Sequence, residues 1–234
     1  MSHADAAEIF HRKGWLATQP KPFRDAWMDV GEFRSVPRGI RLYSLGDPPS
    51  GVYGIAEGFA DVLVASSYLP PVLGHIARPG WWVGEAAAVA GSPRRVEVRA
   101  RTDLRVCYVS PQNIEELERR FPRLWRALGE LTVMHLDNAL MYASCLVKGD
   151  AKTKIANTLI RLAGPEMMID AAVSIPCSQQ ELGEMAGLSR NSAGPALRDM
   201  ARNGQISREV YGQVTFNPVQ LAKMLESGLE RGAR

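Results

Sequence analysis

Polar and basic side chains are concentrated at the starts of two short predicted helices between positions 178 and 206. The residues that could contact a ligand there are Ser178, Gln179, Gln180, Ser189, Arg190, Asn191 and Arg198. An arginine can pair with a guanine edge or with a phosphate, and an asparagine can pair with adenine. Gln179 and Gln180 are expected to contact phosphates or base edges, so that their loss weakens binding evenly across sequences. This combination predicts sequence-specific binding to double-stranded DNA.

The spacing of apolar residues predicts the helices that present these side chains. The inward positions are Leu182, Met185 and Ala186 in the first helix and Ala193, Leu197 and Met200 in the second. Such three- and four-residue steps keep one helix face buried. Gly187 suits the sharp turn between the helices, and Ser189 suits the N-cap of the second. The pattern predicts a helix-turn-helix, although an ordinary helical hairpin has the same spacing.

The local distribution of charge supports DNA binding, whereas the net charge of the chain does not. The net charge is only +3, whereas the segment from Ser189 to Arg208 contains four arginines and the single acid Asp199. A basic patch on one face is the electrostatic feature expected of a protein that binds phosphates.

Changes in composition and in the spacing of apolar residues predict three regions: 1–120, 121–149 and 150–234. The first begins with a helical lead-in and continues as short apolar runs broken by glycine and proline. Such runs indicate an antiparallel β-barrel or sandwich. The last contains the helix-turn-helix and a wing that turns at Tyr211-Gly212. The expected fold class is α+β, with a jelly-roll-like barrel, a long helix and a winged helix-turn-helix.

The long helix is predicted over 122–148, with Gly149-Asp150 as a hinge after it. One flank contains Leu124, Leu128, Leu131, His135, Asn138, Tyr142 and Cys145, and another contains Val133, Leu136, Leu140 and Val147. A helix that is apolar on two flanks is buried on two sides. We therefore expect a homodimer seam, with Asn138 setting the register and with Leu131→Glu dissociating the dimer. The alternative is a helix that lies wholly inside one subunit.

The segment QQELGEMAGLSR, the helix after it and the polar hairpin resemble the C-terminal helix-turn-helix of the Crp/Fnr family of bacterial transcription regulators. The order of barrel, long helix, hinge and winged helix-turn-helix resembles that family over nearly the whole chain. The resemblance implies an effector-binding barrel of the cyclic-nucleotide-binding type, dimerisation through the long helices, and RNA polymerase as a partner. A dimer with two recognition helices implies a near-palindromic operator with half-sites about 34 Å apart.

The resemblance also places an effector cassette in the barrel. Gly84, Glu85 and Ala86 match the start of the family's phosphate-binding helix, where the glutamate accepts a ribose hydroxyl. Arg94 and Arg95 resemble the Arg-Ser or Arg-Thr pair that follows. Helix amides and a guanidinium suit a small anionic effector, although a solvated basic turn is the alternative for the arginines.

Cyclic AMP itself is not expected as the effector. The hydroxyl residue after Arg94 is replaced by Arg95, and apolar Ala139 and Leu140 stand where cAMP-responsive members offer hydroxyls to adenine. Apolar side chains leave the polar atoms of a purine unpaired, which costs free energy of binding.

Pro195 is an unusual residue within the predicted recognition helix. It removes a backbone hydrogen bond and occupies a position where many family members have a DNA-contacting arginine. Asn191 stands where many have glutamate. The operator is therefore expected to differ from the usual family consensus.

Other classes of protein are disfavoured by composition. The three cysteines are far apart and predict neither disulfides nor a zinc site, so no metal and no cofactor is expected. No apolar run is long enough for a membrane span, and a cytoplasmic protein without membrane contact is expected. A barrel metalloenzyme would need several metal ligands, whereas the predicted barrel has only His75. The chain is not expected to be an enzyme. A ligand-binding module that acts on a protein partner remains the other alternative.

Overall fold

A computed structural model of the chain describes residues 3–66, 69–147, 149–209 and 212–232. The chain forms two compact units, Met1–Leu136 and Asp137–Arg234. The boundary falls inside the longest helix, α6, which spans Leu124–Val147. Each unit is described separately below.

Among the described residues of the first unit, five helices and eight strands precede α6. The helices are α1 (His3–Arg12), α2 (Gly14–Ala17), α3 (Lys21–Asp29), α4 (Glu85–Ala90) and α5 (Pro111–Arg120). The strands are β1 (Glu32–Val36), β2 (Arg41–Tyr43), β3 (Val52–Glu57), β4 (Ala60–Ser66), β5 (Leu69–Ala77), β6 (Trp82–Val83), β7 (Glu97–Ala100) and β8 (Leu104–Val109).

The strands form two antiparallel sheets, in the orders β1-β8-β3-β6 and β2-β7-β4-β5. Both sheets contribute to one core, in which Ile55 and Val106 of the first sheet pack with Ala60 and Val98 of the second. The expected fold class is confirmed, with one refinement. The strands that the structure describes form two separate hydrogen-bonded sheets and not a continuous closed barrel.

The helical lead-in packs through aromatic residues. Phe10, Trp15 and Trp27 are buried in one cluster with Trp82 of β6. Edge-to-face contacts such as Trp15 with Trp27, whose ring centroids are 5.3 Å apart at 80°, are a favourable geometry for aromatic pairs. Trp15 also donates from Nε1 to the carbonyl of Ala127 on α6, at 2.7 Å. The lead-in therefore helps to position the first half of α6.

The two flanks of α6 have different environments within the single chain. Leu124, Leu128 and Leu131 are buried in the core of the first unit. The residues of the second flank are all exposed: Val133 at 54%, Leu136 at 54%, Leu140 at 58% and Val147 at 79%. We call these four residues the apolar row. Leu131→Glu would place a charge in the core of the chain itself, so the choice of Leu131 to probe a dimer seam was wrong.

The second unit contains the end of α6 and a small domain of helices and strands. Its elements are α7 (Ala151–Ala163), a 3-10 turn (Pro165–Met167), β9 (Val173–Ile175), α8 (Gln179–Met185), α9 (Arg190–Arg202), β10 (Ile206–Glu209), β11 (Gln213–Phe216) and α10 (Pro218–Gly232). The three strands form one antiparallel sheet in the order β10-β11-β9. The hairpin of β10 and β11 corresponds to the wing predicted over 208–216, and β9 adds a third strand to it. The turn residue Tyr211 lies outside the described residues.

Hydrogen bonds cross the expected hinge at Gly149-Asp150. Asp150 is the N-cap of α7 and accepts from the amide of Thr153 at 2.8 Å. Lys154 donates to the carbonyl of Leu146, in the last turn of α6, at 2.7 Å. Arg161 of α7 is 2% exposed and donates to Asn138 at 3.2 Å. The end of α6 is thus joined to α7, and the side chain of Asn138 is bound within its own subunit.

Arg161 also lies over an aromatic ring on α6. Its Cζ is 4.7 Å from the ring centroid of Tyr142, which suits a cation–π contact. Burial lowers the pKa of Arg161 to about 10. The folded unit therefore retains a charged group with a substantial desolvation cost, which the oxygen of Asn138 and the ring of Tyr142 help to offset.

Among the described residues, no helix combines the length and the apolar character needed to cross a bilayer.

Candidate functional site

Two capped helices and a tight turn form the helix-turn-helix. Ser178 caps α8 by accepting from the amide of Glu181 at 3.1 Å, while the Glu181 carboxylate accepts from the Ser178 amide at 2.8 Å. This reciprocal capping box satisfies two free amides. Gly187 has φ of +64° in the turn, a conformation that favours glycine. Ser189 caps α9 by accepting from the Ser192 amide at 3.3 Å, as its position predicts.

The second helix of the pair, α9, has one buried face and one exposed face. Ala193, Leu197 and Met200 are buried at 5%, 1% and 0% exposure, respectively. Arg190 and Asn191, in the first turn, are exposed. Ser189 and Arg198 are exposed too. The buried side fixes the rotation of the helix about its axis, so the polar side chains of its first turns are presented to solvent.

Arg190 is oriented by the preceding helix. Its Nη2 donates to Oε1 of Gln180 at 2.9 Å, and Nε2 of Gln180 donates to Oε1 of Glu184 at 2.9 Å. Gln179, Gln180 and Arg190 line a common surface cleft of about 240 Å³. The structure thus brings these three predicted contact residues together. Sequence reasoning missed Glu184, an exposed acid that extends this chain of hydrogen bonds.

Pro195 lies inside α9 and is exposed. The helix continues from Arg190 to Arg202 around it. A proline has no amide hydrogen and leaves the carbonyl four residues earlier, that of Asn191, without its usual helical donor. The first turn, which contains Arg190 and Asn191, is therefore less constrained by backbone hydrogen bonds than an ordinary helix.

The single acid in the basic segment is neutralised locally. Asp199 forms salt bridges with Lys152 of α7 and with Arg202, the latter at 3.3 Å. The hydrogen bond from Lys152 is the main cause that lowers the pKa of Asp199, so its carboxylate is ionised at neutral pH. The exposed arginines Arg190 and Arg198 are left as the positive groups of α9 that are available to a phosphate or a base edge.

The predicted effector cassette lies at α4 in the first unit. Gly84 precedes the helix with φ of +103°. A Cβ at this position would lie 2.6 Å from Nη1 of Arg94 and 2.7 Å from the carbonyl oxygen of Gly51. Only glycine fits, because both its backbone angle and the close approach of Arg94 exclude a side chain.

Arg94 is buried at 3% exposure and binds backbone carbonyls. Its Nη1 donates to the Gly84 carbonyl at 2.8 Å, and its Nη2 donates to the Gly51 carbonyl at 2.8 Å and to Ser50 Oγ at 3.0 Å. Its Cζ is 4.2 Å from the ring centroid of Tyr43. Among the described residues, the Nε of Arg94 has no hydrogen-bond partner. The guanidinium therefore joins three loops and keeps one donor unused.

Two of the three remaining cassette residues, Ala86 and Arg95, are at least partly accessible to solvent. Arg95 is exposed, and Ala86 is half-buried in the first turn of α4. The structure thus separates the two arginines: Arg94 points inward, and Arg95 remains on the surface.

Sequence reasoning missed the partner of Glu85. This carboxylate is 4% exposed, and its Oε1 lies 2.8 Å from Nδ1 of His135 on α6. The ring of His135 stacks on Trp81 with a centroid distance of 5.0 Å and an interplanar angle of 17°. A signal was present, because His135 falls on the same flank as Leu128 and Leu131. A polar residue on that flank must find a partner in the first unit.

The described residues also include thiols and other side chains of the types that ligate metals. Within the described ranges, no group of three histidine, cysteine, aspartate or glutamate side chains could hold a metal ion. Within the part of the chain that the structure describes, no disulfide joins the cysteines. Burial raises the pKa of Cys107 to about 12, so this thiol is neutral and unreactive at physiological pH.

Two family models match the chain. A cyclic nucleotide-binding domain matches residues 33–121, and a Crp-like helix-turn-helix domain matches residues 153–224. The cAMP-activated global transcriptional regulator CRP of Haemophilus influenzae is 25% identical over 185 residues, which cover 78% of this chain and 83% of that protein.

Solved structures show the same fold. FixK2 from Bradyrhizobium japonicum has a TM-score of 0.70 at 20% identity, covering 83% of this chain and 96% of that one. The c-di-GMP responsive global regulator CLP from Xanthomonas campestris has a TM-score of 0.64 at 22% identity, covering 84% and 99%, respectively. The relatives are transcription regulators and not enzymes, in agreement with the expectation from the sequence.

Proposed function

Because the chain belongs to the Crp/Fnr family of DNA-binding transcription regulators, we propose that it acts as a homodimer on a near-palindromic operator. We also propose that a small anion other than cAMP binds its barrel. The observation that carries the DNA-binding part is the exposed first turn of α9, where Arg190 and Asn191 lie on a helix anchored by four buried residues. A helix with one buried face and exposed polar side chains in its first turn suits binding in the major groove of DNA. RNA polymerase is the protein partner that transcriptional regulation would require.

Support for the homodimer comes from the apolar row. Val133, Leu136, Leu140 and Val147 follow steps of three, four and seven residues and are more than half exposed. This is the a/d spacing of a two-stranded coiled coil, in which each helix covers the row of its partner. A second copy of the chain is the occupant that this self-complementary spacing favours.

Support for an anionic effector comes from the two arginines of the cassette. Arg95 presents an exposed guanidinium, and Arg94 keeps a buried Nε donor that no described residue accepts. A buried donor without an acceptor is costly, and a carboxylate or phosphate oxygen would relieve that cost. The names of the relatives do not indicate one common effector, since one is cAMP-activated and another is c-di-GMP responsive.

The operator is tested by selecting bound sites from random duplex DNA with the full chain. We expect enrichment of an inverted repeat, and recovery of unrelated sequences would contradict the proposal.

The effector is tested by a thermal-shift screen of phosphate, sulfate and small carboxylates. An effective anion raises the melting temperature of the wild type and raises that of Arg95→Ala less. Absence of any shift would contradict an anionic effector.

A further inference from the structure

A cavity of about 460 Å³ lies in the first unit, between the helical lead-in and the start of α6. Its lining comes from two segments, one between residues 18 and 23 and the other between residues 121 and 130. These residues do not overlap with the cassette at α4. Sites for small molecules typically have volumes of about 300 to 1,000 Å³ and a mostly apolar lining with a few polar groups. The cavity therefore has the size of a separate ligand site.

The apolar part of the lining consists of two aromatic rings and three prolines. Phe23, at 6% exposure, and Phe121 meet edge to face, with ring centroids 5.5 Å apart at 83°. The prolines are Pro20, Pro22 and Pro122. Proline has a fixed φ angle and no amide hydrogen, so it provides a stiff wall without an unsatisfied donor. A preformed apolar site of this kind needs little reordering when a ligand enters.

The charged part of the lining has one cation in excess. Both oxygens of Glu130 are bound within the chain: Oε1 accepts from Nε of Arg126 at 3.4 Å, and Oε2 accepts from Nε2 of Gln19 at 3.3 Å. Gln19 is 7% exposed, so this second contact joins the lead-in to α6 inside the protein. Arg123 is exposed, and its guanidinium forms no ion pair with the described residues. One unpaired positive charge thus lies at the solvent-exposed edge of an apolar cavity.

We propose that this cavity binds a small monocarboxylate with an aromatic or aliphatic body. The body is buried against Phe23 and Phe121, which removes its apolar surface from water. The carboxylate pairs with the guanidinium of Arg123, whose planar donors match two carboxylate oxygens. A ligand with several charges fits less well, because the apolar walls would leave its further charges unpaired. This site goes beyond the proposed function, since it involves neither the cassette nor the helix-turn-helix.

Calorimetry with the full chain tests both halves of the ligand. Octanoate and phenylacetate are the probes, octanol and phenylethanol are their uncharged counterparts, and acetate has the carboxylate without the body. We expect dissociation constants below about 1 mM for the two probes. The alcohols and acetate should bind at least about tenfold more weakly, because each lacks one of the two contacts.

Arg123→Gln tests the position of the carboxylate. This variant should bind octanoate and phenylacetate about tenfold more weakly, since a charged hydrogen-bond donor is lost, and its affinity for the alcohols should not change. Arg119→Gln is the matched control, because Arg119 is an exposed arginine in the last turn of α5 that does not line the cavity. Arg95→Ala provides a second control at the cassette. Both controls should bind the probes as the wild type does.

Three results would overturn the proposal: no binding of either probe, equal affinity for the probes and their alcohols, or unchanged affinity in Arg123→Gln. A loss of probe binding in Arg95→Ala alone would assign the carboxylate to the cassette and would also overturn it. Operator binding is measured on the same samples. Its absence in the wild type would contradict the proposed function without affecting the carboxylate comparison.

Discussion

At the scale of single residues, burial and partners distinguish side chains that the sequence treats alike. Arg94 and Arg95 are adjacent and identical in type, yet Arg94 is buried against carbonyls and Arg95 is exposed. The carbonyls of Gly51 and Gly84 and the hydroxyl of Ser50 bind Arg94, and the loops that contain them meet only in the tertiary structure. The roles of Ser189 and Gly187 could be predicted because they depend on local backbone geometry.

Arg190→Ala should lose sequence-specific DNA binding without loss of fold. A bidentate base contact is worth about 1 to 3 kcal/mol, so affinity for the selected operator should fall by about one to two orders of magnitude. Arg202→Ala is the control, since Arg202 lies at the other end of α9 and pairs with Asp199. Fluorescence anisotropy at one salt concentration measures both variants. Equal affinity of Arg190→Ala and the wild type would refute the role of Arg190.

Gln180→Ala tests whether the hydrogen bond to Arg190 matters. The sequence favours a phosphate or edge contact for this glutamine, with affinity lost evenly across sequences. Because Gln180 also accepts from Arg190 at 2.9 Å, we expect that Arg190 becomes less well oriented. Discrimination between the operator and a mismatched site should therefore decrease together with the affinity. Unchanged discrimination would limit Gln180 to the phosphate contact.

Cys107 should resist alkylation in the folded protein. Its pKa is raised by burial to about 12, so the thiolate is scarce at pH 8. Cys145 is only half-buried and should react first. Mass spectrometry after a short iodoacetamide treatment measures both. The raised pKa favours the folded state below pH 9, and that contribution is lost as the pH rises towards 12. Fast labelling of Cys107 under native conditions would contradict its burial.

At the scale of elements, a helix with a regular spacing of apolar residues was predictable from the sequence. Which of its faces packs against which neighbouring element was not. The two flanks of α6 are visible in the sequence, but both are apolar. The periodicity alone therefore did not indicate which flank packs on the sheets. Trp15 and Trp82 decide this, because the aromatic cluster covers the flank of Leu124 and Leu128 and leaves the apolar row exposed.

Leu140→Glu should dissociate the homodimer and leave each chain folded. Leu140 is 58% exposed in the single chain, so the charge remains solvated there, whereas in a seam it would be desolvated at a cost of several kcal/mol. Met141→Glu is the control, because Met141 is 48% exposed but lies outside the three- and four-residue spacing of the row. Sedimentation velocity distinguishes monomer from dimer. A dimer that persists in Leu140→Glu would place the interface elsewhere.

At the scale of the whole molecule, the order of elements along the chain was predictable, as were the α+β class and the helix-turn-helix. Each rests on local patterns such as the capping residues Ser178 and Ser189. The flank of His135 indicated that this residue needs a partner in the first unit, but the identity of that partner, Glu85, depends on a contact between residues 50 positions apart on different elements. The strands of the first unit were likewise predictable from their short apolar runs. The order in which they pair into two sheets was not, because strand pairing joins residues that are far apart in the sequence.

The central claim is that two copies of this chain read one operator in a symmetric manner. A dimer with two recognition helices requires half-sites about one DNA turn apart, or about 34 Å. Selection of bound duplexes from a random library, followed by sequencing, tests this most directly. We predict an inverted repeat with half-site centres about 10 base pairs apart. Enrichment of single, unpaired half-sites, or no enrichment over the input library, would contradict the claim.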